Sequence, residues 1–334
     1  MRFAAILTSL VMVLSAAAAN GQVRILQTNS GGDNIHVIDA ATNKVVGEIK
    51  GLPANHGAQG SPDGKRIYVS VEGNNSFAIV DAKTLAVIKS VELSGRPNNI
   101  AVSKDGKKVY VAIAALPGAV EVIDTVSMTS IKKIPTNGAE HNVYLTPDGK
   151  YLVAGSVGGR NVSVFDTATD QLVWTMFDKG VRPITFDTNP DGSTRNMYVQ
   201  LSDFHGFVVV DFKTHKEVTR VTLPDVAPEL RNKGQLNAAP AHGIGVAPDG
   251  KSLWVCSRLN SHVYIYSIPE LKMTADIEVG HDPDWITFSP DSKTAYVASA
   301  GSDSVSVVDA ATKKQVAKIP VGKAPKRNST AMFK

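Results

Sequence analysis

Cysteine is nearly absent: Cys256 stands alone in 334 residues. An internal disulfide and a multi-thiolate metal site are therefore excluded, and without a Cys-x-x-Cys-His run so is covalent c-type haem. Cys256 falls in a short apolar stretch and is read as a small buried side chain. Aromatics make up only 6% of the chain. Charge of one sign is also missing, with 35 Lys and Arg against 31 Asp and Glu, a formal net charge of +4. No basic cluster of useful length occurs, so nucleic acid is not an expected partner. No Gly-x-Ser-x-Gly, no His-Glu-x-x-His and no phosphate-binding loop is found.

The one long apolar run is N-terminal. Arg2 followed by an apolar stretch from Ala4 to Ala18, ending in the small residues Ala17-Ala18-Ala19, reads as a secretory signal over residues 1–19. It is too short and too alanine-rich for a membrane span. The mature protein is expected to be periplasmic or secreted, without a span once the signal is cleaved. It is also expected to be a monomer.

What is abundant is repetition. An Asp (once Ser) closing a short apolar run recurs at Asp39, Asp81, Asp124, Asp166, Asp211, Ser267 and Asp309, at spacings of 42, 43, 42, 45, 56 and 42 residues. Each unit carries a turn such as Pro62-Asp63-Gly64, Pro147-Asp148-Gly149 or Pro248-Asp249-Gly250. There Pro presets φ, Asp bonds its own backbone and Gly accepts a positive φ. A Tyr-Val strand follows (Tyr68-Val69, Tyr110-Val111, Tyr198-Val199, Tyr296-Val297), then a polar loop, a third apolar strand and an Asp-x-x-Thr turn.

A period near 42 built from short strands predicts an all-β, seven-bladed propeller of four-stranded antiparallel blades over residues 22–334. The chain begins on a second-type strand, Val23–Gln27, and its missing first strand appears near Ser329–Phe333. The C-terminal strand is therefore expected to pair with the N-terminal blade and close the ring.

These residues resemble the YVTN-type β-propeller repeat family of exported proteins, although no copy has the literal four-letter motif. The resemblance covers essentially everything after the signal. It implies the fold and little about activity. Relatives include surface-layer components and unassigned periplasmic proteins, and distantly similar propellers act as lactonases, metal-dependent lyases, or haem and copper enzymes.

In a propeller the first strands line the central channel, and their starts share one face. Counting seven residues back from the turn Asp gives His56, Asn98, His141, His242 and Asp284. Allowing for two extra residues gives Arg182, and aligning on the preceding Pro gives Lys326. All seven slots are polar, and three of the eight His in the chain occupy alternate slots. Three imidazoles so spaced could converge on a divalent transition metal (Zn, Cu or Mn), leaving an open position. Channel-mouth residues can also be polar simply because the mouth is wet.

The insertion Leu223–Ala241 joins a fourth strand to a first strand, which places it on the same face together with His205 and Arg258. Trp285 is weighed as packing between sheets rather than a wall of the site.

Three readings follow. The leading one is a non-enzymatic propeller binding a small molecule or protein at the channel mouth, through Asn98, Arg182, Asp284, Lys326, His205 and Arg258. A second is a metal-dependent lyase or hydrolase of lactonase type, with His56, His141 and His242 as metal ligands and Asp284 or Glu140 as base. A third is a structural envelope component. Composition and motifs leave enzyme and binding protein both open.

Overall fold

The computed structural model describes residues 21–230 and 239–334. The signal expected at residues 1–19, and residues 231–238 of the insertion, lie outside the described residues.

Seven separate four-stranded antiparallel sheets are present. Numbered along the chain, blade two spans Asn55 to Glu92, blade three Pro97 to Pro135, blade four Glu140 to Met176, blade five Val181 to Thr222, blade six Ala241 to Glu278 and blade seven Pro283 to Pro320. Blade one is composite. Its strands Gln22–Asn29, Ile35–Asp39 and Lys44–Ile49 are completed by the C-terminal strand Pro325–Phe333. That strand pairs antiparallel with Gln22–Asn29, placing Val23 opposite Met332 and Leu26 opposite Ser329. The expected closure of the ring by the tail is present.

The local causes match the repeat. Each of the seven periodic positions, from Asp39 to Asp309, is the last residue of its blade's third strand. Asp39 Oδ1 accepts from the Thr42 amide at 2.8 Å and from the Ala41 amide at 2.9 Å, and the same turn recurs at Asp81, Asp124 and Asp166. The hairpin turns hold Gly64 at φ 73°, Gly106 at 70° and Gly149 at 76°, the left-handed region that glycine enters at no steric cost.

The blades stack through their apolar faces. Leu26, Ile35 and Val37 of blade one meet Ile67, Val69 and Val71 of blade two, all essentially fully buried. Burying each such side chain contributes about 1.5–3 kcal/mol. The tyrosines of the Tyr-Val strands are buried as well, and Tyr296 of blade seven donates to the Ala40 carbonyl of blade one at 3.2 Å. Cys256 is fully buried and free, as its sequence context suggests. Among the described residues no helix is long and apolar enough to cross a membrane.

Candidate functional site

The seven slot residues predicted from the repeat are each the second residue of a first strand. They stand in Asn55–Gly60, Pro97–Val102, Glu140–Leu145, Val181–Thr188, Ala241–Val246, Pro283–Phe288 and Pro325–Phe333. In every blade the pairing register shifts there, so that two residues oppose one on the second strand. Such a bulge bends the strand and re-aims its side chains. Glycine follows the slot at His56 and at His242, where the next blade is close: a Cβ on Gly243 would lie 2.8 Å from Trp285 Cα.

The bulges bring the three histidines together. The ring centroids of His56 and His141 lie 6.5 Å apart, and those of His141 and His242 6.3 Å apart, both pairs edge-on. His56 and His242 are buried and His141 is half-buried. Burial is the main reason all three sit well below the ordinary imidazole pKa. Arg327 adds to this at His56 and His141, and Arg258 at His242. All three are therefore neutral at pH 7.

Each ring is held through Nδ1. His56 Nδ1 lies 2.6 Å from Glu72 Oε1, His141 Nδ1 2.7 Å from Asn142 Nδ2, and His242 Nδ1 2.8 Å from the Asp284 carbonyl. The hydrogen-bond network then assigns the tautomers. A carboxylate and a carbonyl only accept, so His56 and His242 carry the proton on Nδ1 and present a lone pair at Nε2. His141 is the reverse. The Asn142 oxygen already accepts from Arg327 Nη2 at 2.7 Å, so its amide nitrogen faces the ring. His141 Nδ1 accepts, and its Nε2 carries the proton. The site thus offers two lone pairs and one N–H.

Arg327 is the residue that slot counting missed. It follows Lys326 inside the same bulge and is only 3% exposed. Its Nη2 donates to Asn98 Oδ1 at 2.9 Å and to Asn142 Oδ1 at 2.7 Å. Its guanidinium carbon lies 4.0 Å from the Trp285 ring centroid, a cation–π contact. Trp285 therefore lines the channel, which corrects its reading as packing between sheets. Beyond Arg327 the channel holds a cavity of about 400 Å³, bounded among others by Tyr144, Trp285, Gln59 and Thr287.

The remaining expected residues separate into two groups. At the mouth, Arg258 Nε lies 2.5 Å from Asp282 Oδ1 and 3.2 Å from Asp284 Oδ1, so Asp284 is buried against an arginine. Asn98 Nδ2 donates to Glu72 Oε1 at 3.0 Å. Lys326 is half-buried, near enough to push down the pKa of His56 and His242. Arg182 Nε donates to Ser202 Oγ at 2.9 Å, and His205 Nε2 lies 2.7 Å from Ser257 Oγ. Glu140 differs. It is fully buried, among the described residues neither carboxyl oxygen makes a hydrogen bond of good geometry, and burial, only partly offset by the nearby Thr136 hydroxyl, raises its pKa to about 8. At pH 7 it is protonated, so it is not placed to act as a base. Glu72, absent from the sequence-based candidates, holds His56 and also pairs with Arg96 at 3.1 Å.

A metal bound by three imidazoles needs three lone pairs directed at one ion, at about 2.0–2.1 Å. The proton on His141 Nε2 does not fit that requirement. Among the described residues no group of three or more His, Cys, Asp or Glu is placed to hold a metal ion.

Comparison with known proteins agrees with the architecture. The chain is similar to hydrazine synthase of Kuenenia stuttgartiensis (23% identity, TM-score 0.74, 90% of this chain and 99% of that one). It is also similar to a candidate 6-phosphogluconolactonase of Bacteroides fragilis (18% identity, TM-score 0.75, 94% of this chain and 99% of that one). It resembles the dihydro-haem d1 dehydrogenase NirN as well, at 17% identity and TM-score 0.65, covering 88% of this chain but only 63% of that one. At these identities the likeness is one of fold. No curated protein matches the sequence. A model described as a YNCE-like β-propeller matches residues 17–146, and one described as a lactonase seven-bladed β-propeller matches residues 114–324, more than half of the chain. The chain belongs to the lactonase family of seven-bladed β-propellers.

Proposed function

We propose that the histidine-bearing mouth of the channel binds a small carbonyl compound and hydrolyses it as a lactone or related ester, using side chains alone. The observation that carries this reading is the opposed tautomers. His56 Nε2 presents a lone pair, with Nδ1–H on the Glu72 carboxylate, while His141 Nε2 presents a proton. A base whose far nitrogen is held by a carboxylate keeps its tautomer. A fixed N–H on the facing ring, its centroid 6.5 Å from that of His56, can receive the developing oxyanion.

In the step this implies, His56 takes a proton from water as the water oxygen bonds to the carbonyl carbon. The carbonyl electrons move onto oxygen beside His141. Collapse breaks the acyl C–O bond, and the His56 proton passes to the leaving alkoxide, giving a hydroxy acid. His242 Nε2 is a second acceptor for the substrate's hydroxyls. The lactonase family match supports the reaction class. The apolar stretch at residues 1–19, read as a secretory signal, supports export as part of the same reading.

The test is hydrolysis of γ- and δ-lactones by the purified protein, followed by pH-stat. His56→Ala should lower kcat about 10²-fold or more and Glu72→Gln about tenfold. A protein that binds such lactones without turning them over would favour the ligand-binding reading. One that neither binds nor hydrolyses any of them would overturn the proposal. Hydrolysis lost on chelation and restored by a transition metal would favour the metal-dependent reading.

A further inference from the structure

We infer that Arg327, a residue of the strand that closes the ring, is the positioning residue that holds the Nε2 tautomer on His141, opposite to the tautomer that Glu72 sets on His56. Two chains of hydrogen bonds leave one nitrogen, Arg327 Nη2. In the first, Nη2 donates to Asn142 Oδ1 at 2.7 Å, which turns the amide nitrogen toward His141 Nδ1, also at 2.7 Å. In the second, Nη2 donates to Asn98 Oδ1 at 2.9 Å, and the Asn98 amide nitrogen donates to Glu72 Oε1 at 3.0 Å. Glu72 Oε1 then lies 2.6 Å from His56 Nδ1.

The chains differ by one link. An amide reached by a cation at its oxygen can only donate onward from its nitrogen. In the first chain the next group is the imidazole, which must accept. In the second a carboxylate intervenes, and a carboxylate accepts from both sides, so the imidazole beyond it must donate. The guanidinium thereby sets the Nε2 proton on His141, while the Nε2 lone pair on His56 follows from the Glu72 carboxylate, which Arg327 reaches only through Asn98. Arg327 suits the task because it stays charged when buried and cannot itself accept. It also touches four blades: its own strand belongs to blade one, Asn98 to blade three, Asn142 to blade four and Trp285 to blade seven. His242 is outside this circuit, since its Nδ1 is held by the Asp284 carbonyl.

The assignment of protons stands without the proposed hydrolysis; only its use in catalysis rests on that reading. It is tested on the full chain without substrate, by ¹⁵N–¹H correlation of the histidine ring nitrogens. Wild-type His141 should be protonated on Nε2, and His56 and His242 on Nδ1. Arg327→Met should shift the His141 tautomer ratio at least tenfold, toward a mixture, and leave His242 unchanged. Should Arg327→Met not fold, Asn142→Asp keeps Arg327 paired and replaces the donor facing His141 with an acceptor. His141 should then carry its proton on Nδ1. Wild-type His141 protonated on Nδ1 would overturn the inference. So would His141 unaltered in Arg327→Met or in Asn142→Asp, or His242 shifting as far as His141 in Arg327→Met. If the tautomers move as stated while no lactone is hydrolysed, the hydrolase reading fails and this one stands.

Discussion

Replacing Glu140 by Gln should stabilise the protein progressively as pH rises. Glu140 is fully buried, among the described residues its carboxyl oxygens make no hydrogen bond of good geometry, and desolvation outweighs the nearby Thr136 hydroxyl to raise its pKa from 4.5 to about 8. The folded pKa lies above the unfolded one. Whatever stability this group contributes is fully present below pH 4.5 and is lost as pH climbs toward 8, because the unfolded chain releases a proton the folded chain retains. At about 1.4 kcal/mol per pH unit over roughly 3.5 units, the wild type loses about 5 kcal/mol that a glutamine at this position does not lose. With an unfolding entropy of about 2.1 cal/mol/K per residue, a chain of this length gains ~7 °C in Tm. Thermal melts followed by circular dichroism at pH 4.5, 6, 7 and 9 would measure it. The two proteins should melt close together at pH 4.5 and separate most at pH 9. A difference independent of pH, or a variant less stable at pH 9, would refute the reasoning. Lactone turnover, if present, should change less than about twofold, since Glu140 is outside the imidazole cluster.

Three further outcomes follow from the same geometry. Removal of residues 325–334 deletes a whole strand of blade one together with Arg327, so the truncated chain should show no cooperative melt by circular dichroism; a transition within a few degrees of wild type would contradict ring closure by the tail. Triple replacement of His56, His141 and His242 by Ala should leave Tm within about 3 °C while abolishing hydrolysis, because the rings are neutral and point to the channel rather than into the blade cores; a large loss of stability would mark them as structural. Asn142→Asp presents three Nε2 lone pairs to one space, so it should take up Co²⁺ at least tenfold more tightly than wild type in a spectroscopic titration; equal affinity would mean that the His141 proton is not the obstacle to metal.

Much of the site's location was legible in the repeat, because a β-strand fixes side-chain direction with period two and each blade repeats the same strand. All seven slot residues occupy the same position of their strands, and the three histidines do meet. Of the partners that give them chemical character, Asp284 and Asn98 stand in the same slots, whereas Arg327, Asn142 and Glu72 were not legible. Arg327 reaches Asn98 across 229 residues and Asn142 across 185, and no periodicity couples such positions. Counting one slot per blade also assumed a regular strand. In three blades the bulge brings a second residue to the channel, which is why Arg327 and Asn142 escaped and Trp285 was misread. Glu72 carries no signal beyond lying in a loop on the histidine face. Glu140 was a reasonable base by residue type, and burial, which keeps it protonated, removes it from that role.

By itself the sequence determined the number of blades, their order, the turns between strands, the closure by the tail and the slots from which the histidines come. Those are properties of local spacing and turn chemistry, which each unit expresses independently. Only the tertiary structure decided which imidazole nitrogen carries the proton. For His141 that depends on one buried guanidinium meeting the Asn142 amide of another blade, an arrangement that exists once the ring is closed and in no separate part of it.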